Sequence, residues 1–265
     1  MASTAAVKKT AKTALKGKYL RSIICGMTVI CAEITAVIIF EITAGIIGMI
    51  PAFILLAALN IFIVLPLFMG AMYFFRRLVW GADDNVILTF EPFSSREKYK
   101  RTLGFVLLYI GKLIEYAVPL FLPSVASQIL SSASFYDLID TSMPVWASNL
   151  WVLTAFLRII GAVVLFFAML KFYLAPFIFV SNDEISVFEA MKISSVISKR
   201  TSSEFIFLIF SFVLYIIISL FLMPLPFVLP LFIAAYIVHS RFAVAQYNKA
   251  VDELNNSAPY FAAGI

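Results

Sequence analysis

Runs of about 20 or more apolar residues recur along this 265-residue chain, and no other feature constrains its fold as strongly. A helix rises about 1.5 Å per residue, so such a run can cross the hydrocarbon core of a bilayer, which is roughly 30 Å thick. Hydrophobic residues make up 63% of the chain and charged residues only 13%, whereas about a quarter of the residues in water-soluble domains are charged. The sequence therefore predicts an integral membrane protein.

Six membrane spans are predicted. Each is expected to be helical, because backbone groups inside lipid must find their hydrogen-bond partners within the protein. Proline and glycine mark the breaks between consecutive spans, as at Gly48 and Pro51 and again at Pro224 and Pro226. The predicted spans cover residues 22–44, 51–73, 103–123, 149–175, 205–224 and 225–244. The expected fold class is an all-α, polytopic transmembrane helix bundle.

The lysines and arginines predict how the chain is oriented in the membrane. They flank or lie in the segment before the first span and the segments after the second, fourth and sixth spans, and the three opposite loops carry none. Short loops rich in these residues stay on the cytoplasmic side. Both termini are therefore expected in the cytoplasm, with a basic helix at 1–21, the six-span domain at 22–246 and a cytoplasmic tail at 247–265.

The basic N-terminal segment is expected to form an amphipathic helix at the membrane interface. One face carries Val7, Ala11, Ala14 and Leu15, and the other face carries Lys8, Lys9, Lys12 and Lys16. Anionic lipid headgroups attract such a face by about 1 kcal/mol per basic residue. The expected partners are thus the lipid bilayer and its anionic headgroups. Nucleic acid is not expected, because the basic residues are spread over membrane flanks.

Few residues in the chain could carry catalysis. It has one histidine, no paired Cys-x-x-Cys and no phosphate-binding glycine loop. His239 stands alone at the end of the last span, where an interfacial position is expected, and Cys25 and Cys31 are read as small apolar fillers. No enzyme activity, catalytic residue, metal site or cofactor is therefore predicted.

Ionisable residues within the spans are the strongest lead to a site, because a charge near the bilayer centre costs roughly 2.5 to 3.5 kcal/mol. Four such residues share one expected depth and their charges sum to zero: Glu33, Lys112, Glu115 and Arg158. The small residues Gly111 and Gly161 recur beside them and would permit close helix contact. The cluster is read either as a structural pairing that fixes helix register or as a midplane site for an ion, proton or polar substrate.

The order of features resembles the bacterial membrane family called domain of unknown function 975. The resemblance rests on six segments: Val7-Lys-Lys-Thr-Ala-Lys-Thr-Ala-Leu-Lys-Gly-Lys-Tyr19, Phe90-Glu-Pro-Phe93, Tyr99-Lys-Arg101, Tyr173-Leu-Ala-Pro-Phe-Ile-Phe-Val180, Glu189-Ala-Met-Lys-Ile-Ser194 and Phe210-Ser-Phe-Val-Leu-Tyr215. It implies a multi-pass protein of the bacterial cytoplasmic membrane and carries no catalytic residues with it.

Two functions are predicted. The first is a non-enzymatic structural or accessory membrane component, with the cytoplasmic loops as the surface for a protein partner. In these loops Ser186 is expected to cap a short amphipathic helix that presents Phe188 and Met191. The alternative is a small transporter or permease subunit that uses the intramembrane charges.

Overall fold

The computed structural model describes residues 3–82, 85–130, 150–222 and 225–261. Every regular element in these ranges is helical, and the predicted all-α class is confirmed for them. The α-helices are α1 (Thr4–Leu15), α2 (Tyr19–Ile47), α3 (Met49–Leu59), α4 (Leu65–Trp80), α5 (Arg96–Leu130), α6 (Leu150–Phe172), α7 (Ala175–Ser181), α8 (Val187–Leu222) and α9 (Leu225–Phe261). A π-helical turn, Asn60–Val64, joins α3 to α4, and a 3-10 segment, Val86–Phe93, follows α4. The predicted segments also include residues 1–2, 149, 223–224 and 262–265, which lie outside the described residues.

Among the described residues, four helices are long and apolar enough to cross a membrane. They are Tyr19–Ile47, Met49–Trp80, Val152–Ser181 and Phe227–Asp252. These helices correspond to the first, second, fourth and sixth predicted spans. The third predicted span lies within α5, and residues 205–222 of the fifth lie within α8; the passage of these two spans through a membrane remains a prediction.

Glycines with left-handed backbone angles separate the first helices. Gly48, with φ of +92°, lies between α2 and α3, and Gly81, with φ of +71°, ends α4. Residues with a Cβ rarely adopt these angles, so glycine allows the chain to turn there. The turn at Gly48 makes α2 and α3 a contacting helical hairpin.

The chain divides into two compact units, residues 1–106 with 174–265 and residues 107–173. In the first unit α4 packs against α1, α7, α9 and the 3-10 segment. The buried core there is rich in phenylalanine and includes Phe74, Phe75, Phe179 and Phe212. The α2–α3 hairpin differs, because it exposes large apolar side chains such as Ile38, Ile46, Phe53 and Ile54. This exposure fits a hairpin whose surroundings are lipid.

Helix α1 is held against the first unit by its apolar face. Val7, Ala11 and Leu15 are fully or almost fully buried, and α1 contacts α4, α8 and α9. The Lys8 ammonium donates a 2.8 Å hydrogen bond to the Ser211 carbonyl of α8, and desolvation there lowers its pKa. The predicted amphipathic helix is thus present, but its apolar face contacts protein.

The 3-10 segment folds back along α4 and does not extend away as a loop. At Gly70 of α4, an added Cβ would lie 1.8 Å from the Thr89 carbonyl oxygen, so glycine is what permits this close approach. The Thr89 hydroxyl donates to the Cys25 sulfur of α2 at 3.1 Å, and both side chains are buried. Sequence analysis placed this stretch in a cytoplasmic loop, whereas the structure makes it a packed part of the first unit.

Candidate functional site: a charged cleft beside α4

A cleft of about 310 Å³ lies in the first unit, between the C-terminal half of α4, the 3-10 segment, the start of α5 and the turn after α7. Seven charged side chains line it: Arg76, Arg77, Lys98, Arg101, Glu91, Glu97 and Asp183. Four of them are cationic and three anionic. The described lining is therefore strongly polar and close to charge balance.

Arg101 ties the start of α5 to the turn that precedes α8. Its guanidinium donates to Asp183 Oδ1 at 3.1 Å, to the Asn182 carbonyl at 2.7 Å and to the Ile185 carbonyl at 3.2 Å. The guanidinium carbon also lies 4.3 Å from the centre of the Phe179 ring. The planar fork of arginine suits several acceptors at once. One side chain thus holds a turn whose backbone carbonyls lie outside any helix.

Arg76 binds the C-terminal end of α7 in a similar way. It donates to the Val180 carbonyl at the C-terminal end of that helix, where carbonyls lack helical partners. Arg76 and Arg241 both lie near the Trp80 ring, at 5.8 and 4.9 Å from its centre, and Trp80 stacks on Phe177 of α7. Cation–π and stacking contacts therefore connect α4, α7 and α9 beside the cleft.

The rim of the cleft is closed by an ion pair. Lys98 bonds to Glu91 of the 3-10 segment, and the Lys98 backbone amide donates to Ser95 Oγ at 3.2 Å in the first turn of α5. Tyr73 approaches Asp183 Oδ1 at 3.5 Å, the limit for a hydrogen bond. Most cations of this lining thus bind groups of the chain itself.

The predicted intramembrane cluster is only partly assembled by contacts that the structure shows. Lys112 and Glu115 form an ion pair of 2.7 Å along one face of α5, and the Glu115 side chain is 63% exposed. Arg158 lies on α6 with an exposed side chain. These three residues belong to the second unit, whereas Glu33 belongs to the first. Their joining into one site of four charges remains a prediction.

Helices α5 and α6 contact each other within the second unit through aromatic side chains. The Lys171 ammonium donates to the Tyr116 hydroxyl at 2.6 Å. A Cβ added at Gly161 would lie 3.1 Å from the Phe121 ring, whereas no described atom lies within 4 Å of one added at Gly111. Of these two small residues, only Gly161 lies at a close helix contact.

His239 corrects one expectation of the sequence analysis. It is 4% exposed, and its ring stacks on Phe205 of α8 with 5.8 Å between ring centres. The ring thus packs against protein and does not reach water or headgroups as expected, while its depth in the membrane remains a prediction. No three histidine, cysteine or acidic side chains lie close enough to hold a metal ion within the part of the chain that the structure describes.

The cleft is not predicted from the sequence, where the arginines at the end of α4 indicate only the orientation in the membrane. The signal that could have found them is the mixture of acidic, basic and aromatic residues in 90–101, which is unusual for a simple connecting loop. Comparisons with protein-family models, curated proteins and solved structures find no match for this chain. The fold alone defines its class: over the residues that the structure describes it is all-helical, with four apolar helices that are compatible with an integral membrane protein.

Proposed function

We propose that the chain is a non-enzymatic structural or accessory component of the bacterial cytoplasmic membrane. In this proposal it is a multi-pass protein with six spans and cytoplasmic termini, related to domain of unknown function 975. One observation carries the proposal: Arg76 binds a backbone carbonyl at the C-terminal end of α7, and Arg101 binds two in the turn 182–185. Groups that act on a substrate must be able to reach it, whereas these guanidiniums fix loops of their own chain.

The fixed loops support a surface for a protein partner. Phe188 lies in the first turn of α8, directly after the turn that Arg101 holds, and its side chain is 65% exposed. Ser186 accepts the Glu189 amide at 3.2 Å and so caps this helix start. A large apolar side chain held in place on a polar surface is a suitable anchor for another protein. Two expectations are wrong here: Met191 is only 4% exposed, and the helix is not short, because it is the start of the 36-residue α8. The proposed partner therefore contacts Phe188 at the beginning of α8.

The lipid partner is proposed on the opposite face of α1. Lys9, Lys12 and Lys16 are exposed there, while the apolar face of the helix packs against protein. Attraction to anionic headgroups would then be electrostatic, with no insertion of apolar side chains, and salt should weaken it.

Site-specific photocrosslinking in living cells tests the accessory role. A photoreactive phenylalanine analogue replaces Phe188 in the full chain, and Phe207 serves as the matched control because it lies on the same helix and is 69% exposed. We expect one discrete protein adduct from position 188 and none from position 207. The Arg101→Ala variant, compared at equal membrane abundance, should lose the adduct because the turn before α8 is released. Equal adduct patterns at both positions, or lipid adducts alone, would overturn the proposal.

A small transporter or permease subunit is the second candidate, favoured by the intramembrane Glu33 and by the Lys112–Glu115 ion pair. Its test is ion-driven current from proteoliposomes on a solid-supported membrane, with parent chain and Glu33→Gln compared. A current that the variant loses would support transport. No current under any ion gradient, together with the adduct at position 188, would leave the accessory role as the function.

A further inference from the structure

The α2–α3 hairpin carries two polar residues on facing stripes of its helices. On α2, Glu33 precedes Ala36 by three residues and Phe40 by seven, so the three side chains share one face. The Phe40 ring contacts Phe53 of α3, with 4.9 Å between ring centres. Asn60 follows Phe53 by seven residues, or about two helical turns, and lies on the same stripe. Glu33 and Asn60 thus belong to the two faces that meet in the hairpin.

The two polar residues also share one level along the hairpin. From the contact between Phe40 and Phe53, Glu33 is seven residues back along α2 and Asn60 is seven residues forward along α3. Both steps amount to about 10 Å at the rise of an α-helix, and the helices run in opposite directions. Helix α2 contacts the π-helical turn directly, as this register requires.

The backbone at Asn60 departs from the regular α-helix. The Leu65 amide bonds to the Asn60 carbonyl five residues earlier, so this turn departs from the usual four-residue pattern. The Phe62 carbonyl in the same turn accepts the Tyr99 hydroxyl at 3.0 Å, so carbonyls here can bind groups outside their helix. The Asn60 side-chain amide donates to the Leu56 carbonyl, and its own carbonyl oxygen remains an acceptor.

The Glu33 carboxyl supplies the remaining feature. Its Oε2 atom is buried and has no hydrogen-bond partner among the described residues, although burying such a group without a partner is costly. We propose that Glu33, Asn60 and carbonyl oxygens of the π-helical turn bind a small monovalent cation within the hairpin. A single carboxylate neutralises one positive charge, whereas a divalent ion would leave a net charge in apolar surroundings. The site goes beyond the proposed function. The same ligands would hold an ion that only stabilises the fold and an ion that is transported, so the proposal is independent of which of these roles the ion has.

Protection against an apolar carbodiimide, which attacks protonated carboxyl groups, tests the site in the full chain in nanodiscs. Labelling is located by mass spectrometry in sodium chloride and in choline chloride of equal ionic strength. We expect sodium to slow labelling of Glu33 at least tenfold and to leave Glu41, an exposed carboxyl on the same helix, unchanged. In Asn60→Ala, Glu33 should label in choline chloride as in the parent but should lose most of the protection by sodium.

Thermal unfolding provides the second measurement. A cation that binds only the folded chain raises the unfolding midpoint with its concentration. The midpoint of the parent should therefore rise with sodium, and that of Glu33→Gln should not. If lithium, sodium and potassium change neither the labelling of Glu33 nor the midpoint of the parent, no cation binds in the hairpin and the proposal is overturned. If the carbodiimide does not reach Glu33, the effect of the cations on the unfolding midpoint alone tests the proposal.

Discussion

Replacing Gly70 by alanine should release the 3-10 segment from α4. The new Cβ would lie 1.8 Å from the Thr89 carbonyl oxygen, 2.6 Å from the Thr89 carbonyl carbon and 3.1 Å from Pro92 Cδ. Carbon and oxygen atoms in contact stay about 3.3 Å or more apart. The segment must therefore move by about 1.5 Å relative to α4, and because two of the three obstructing atoms are backbone, no side-chain rotation can relieve the clash.

The expected cost follows from three contributions. Overpacking a well-filled site costs about 1 to 3 kcal/mol, and loss of the hydrogen bond from Thr89 to Cys25 costs about 1 kcal/mol. Alanine in place of glycine returns about 1 kcal/mol through helix propensity. The net loss should be about 2 kcal/mol, which corresponds to a roughly 30-fold change in an opening equilibrium.

The Cys25 thiol provides the assay, because it is buried beside Thr89. In a Cys31→Ser background, the rate at which a thiol-specific fluorophore labels Cys25 reports how often the segment opens. Gly70→Ala should label about 30-fold faster and unfold at a lower temperature. Gly104→Ala is the matched control, since no described atom lies within 4 Å of its added Cβ. If Gly70→Ala kept the labelling rate and midpoint of the parent, the close approach of the segment to α4 would be refuted.

Two further substitutions test single contacts by thermal unfolding of the detergent-solubilised chain. Lys8→Ala should lower the free energy of unfolding by about 1 to 2 kcal/mol, because it removes a charge-assisted hydrogen bond to a carbonyl of α8. Lys9 is exposed, so Lys9→Ala is the control and should stay within about 0.5 kcal/mol of the parent. Equal losses in the two variants would contradict a specific role of the Lys8 bond. Tyr116→Phe should cost about 1 kcal/mol, and the double variant with Lys171→Met should lose less than the sum of the single losses. Additive losses would show that the bond between these two side chains contributes nothing.

The apolar runs were sufficient to predict the helical class and, among six predicted spans, the four described helices that are long and apolar enough to cross a membrane. The length and composition of a run depend only on its own residues, so each helix can be predicted without knowing which helices it contacts. The amphipathic pattern of α1 was equally easy to predict from the sequence. What its apolar face contacts could not be predicted, because the same face can pack on lipid or on protein.

The cleft could not be predicted, since it depends on contacts between distant parts of the chain. Arg101 reaches Asp183 across 82 residues, and the sequence carries no signal for that distance. The burial of His239 could not be predicted for a related reason, because its ring packs on Phe205, which lies 34 residues earlier in the chain. The π-helical turn at Asn60 was not predicted, because the apolar run around it fits a continuous α-helix equally well.

The distribution of the core has a consequence for how the protein folds during synthesis. Phe74 and Phe75 leave the ribosome early, yet α4, which carries them, packs against α7 and α9, whose first residues follow Phe75 by about 100 and 150 residues. At about 5 to 20 residues per second, the first part of this core would wait for at least about 5 to 20 s before its nearer partner segment is made. The α2–α3 hairpin, whose exposed apolar side chains need only lipid, can insert before then. Newly made chains should thus pass through a stage in which the membrane hairpin is in place and the phenylalanine core is still exposed to chaperones and proteases.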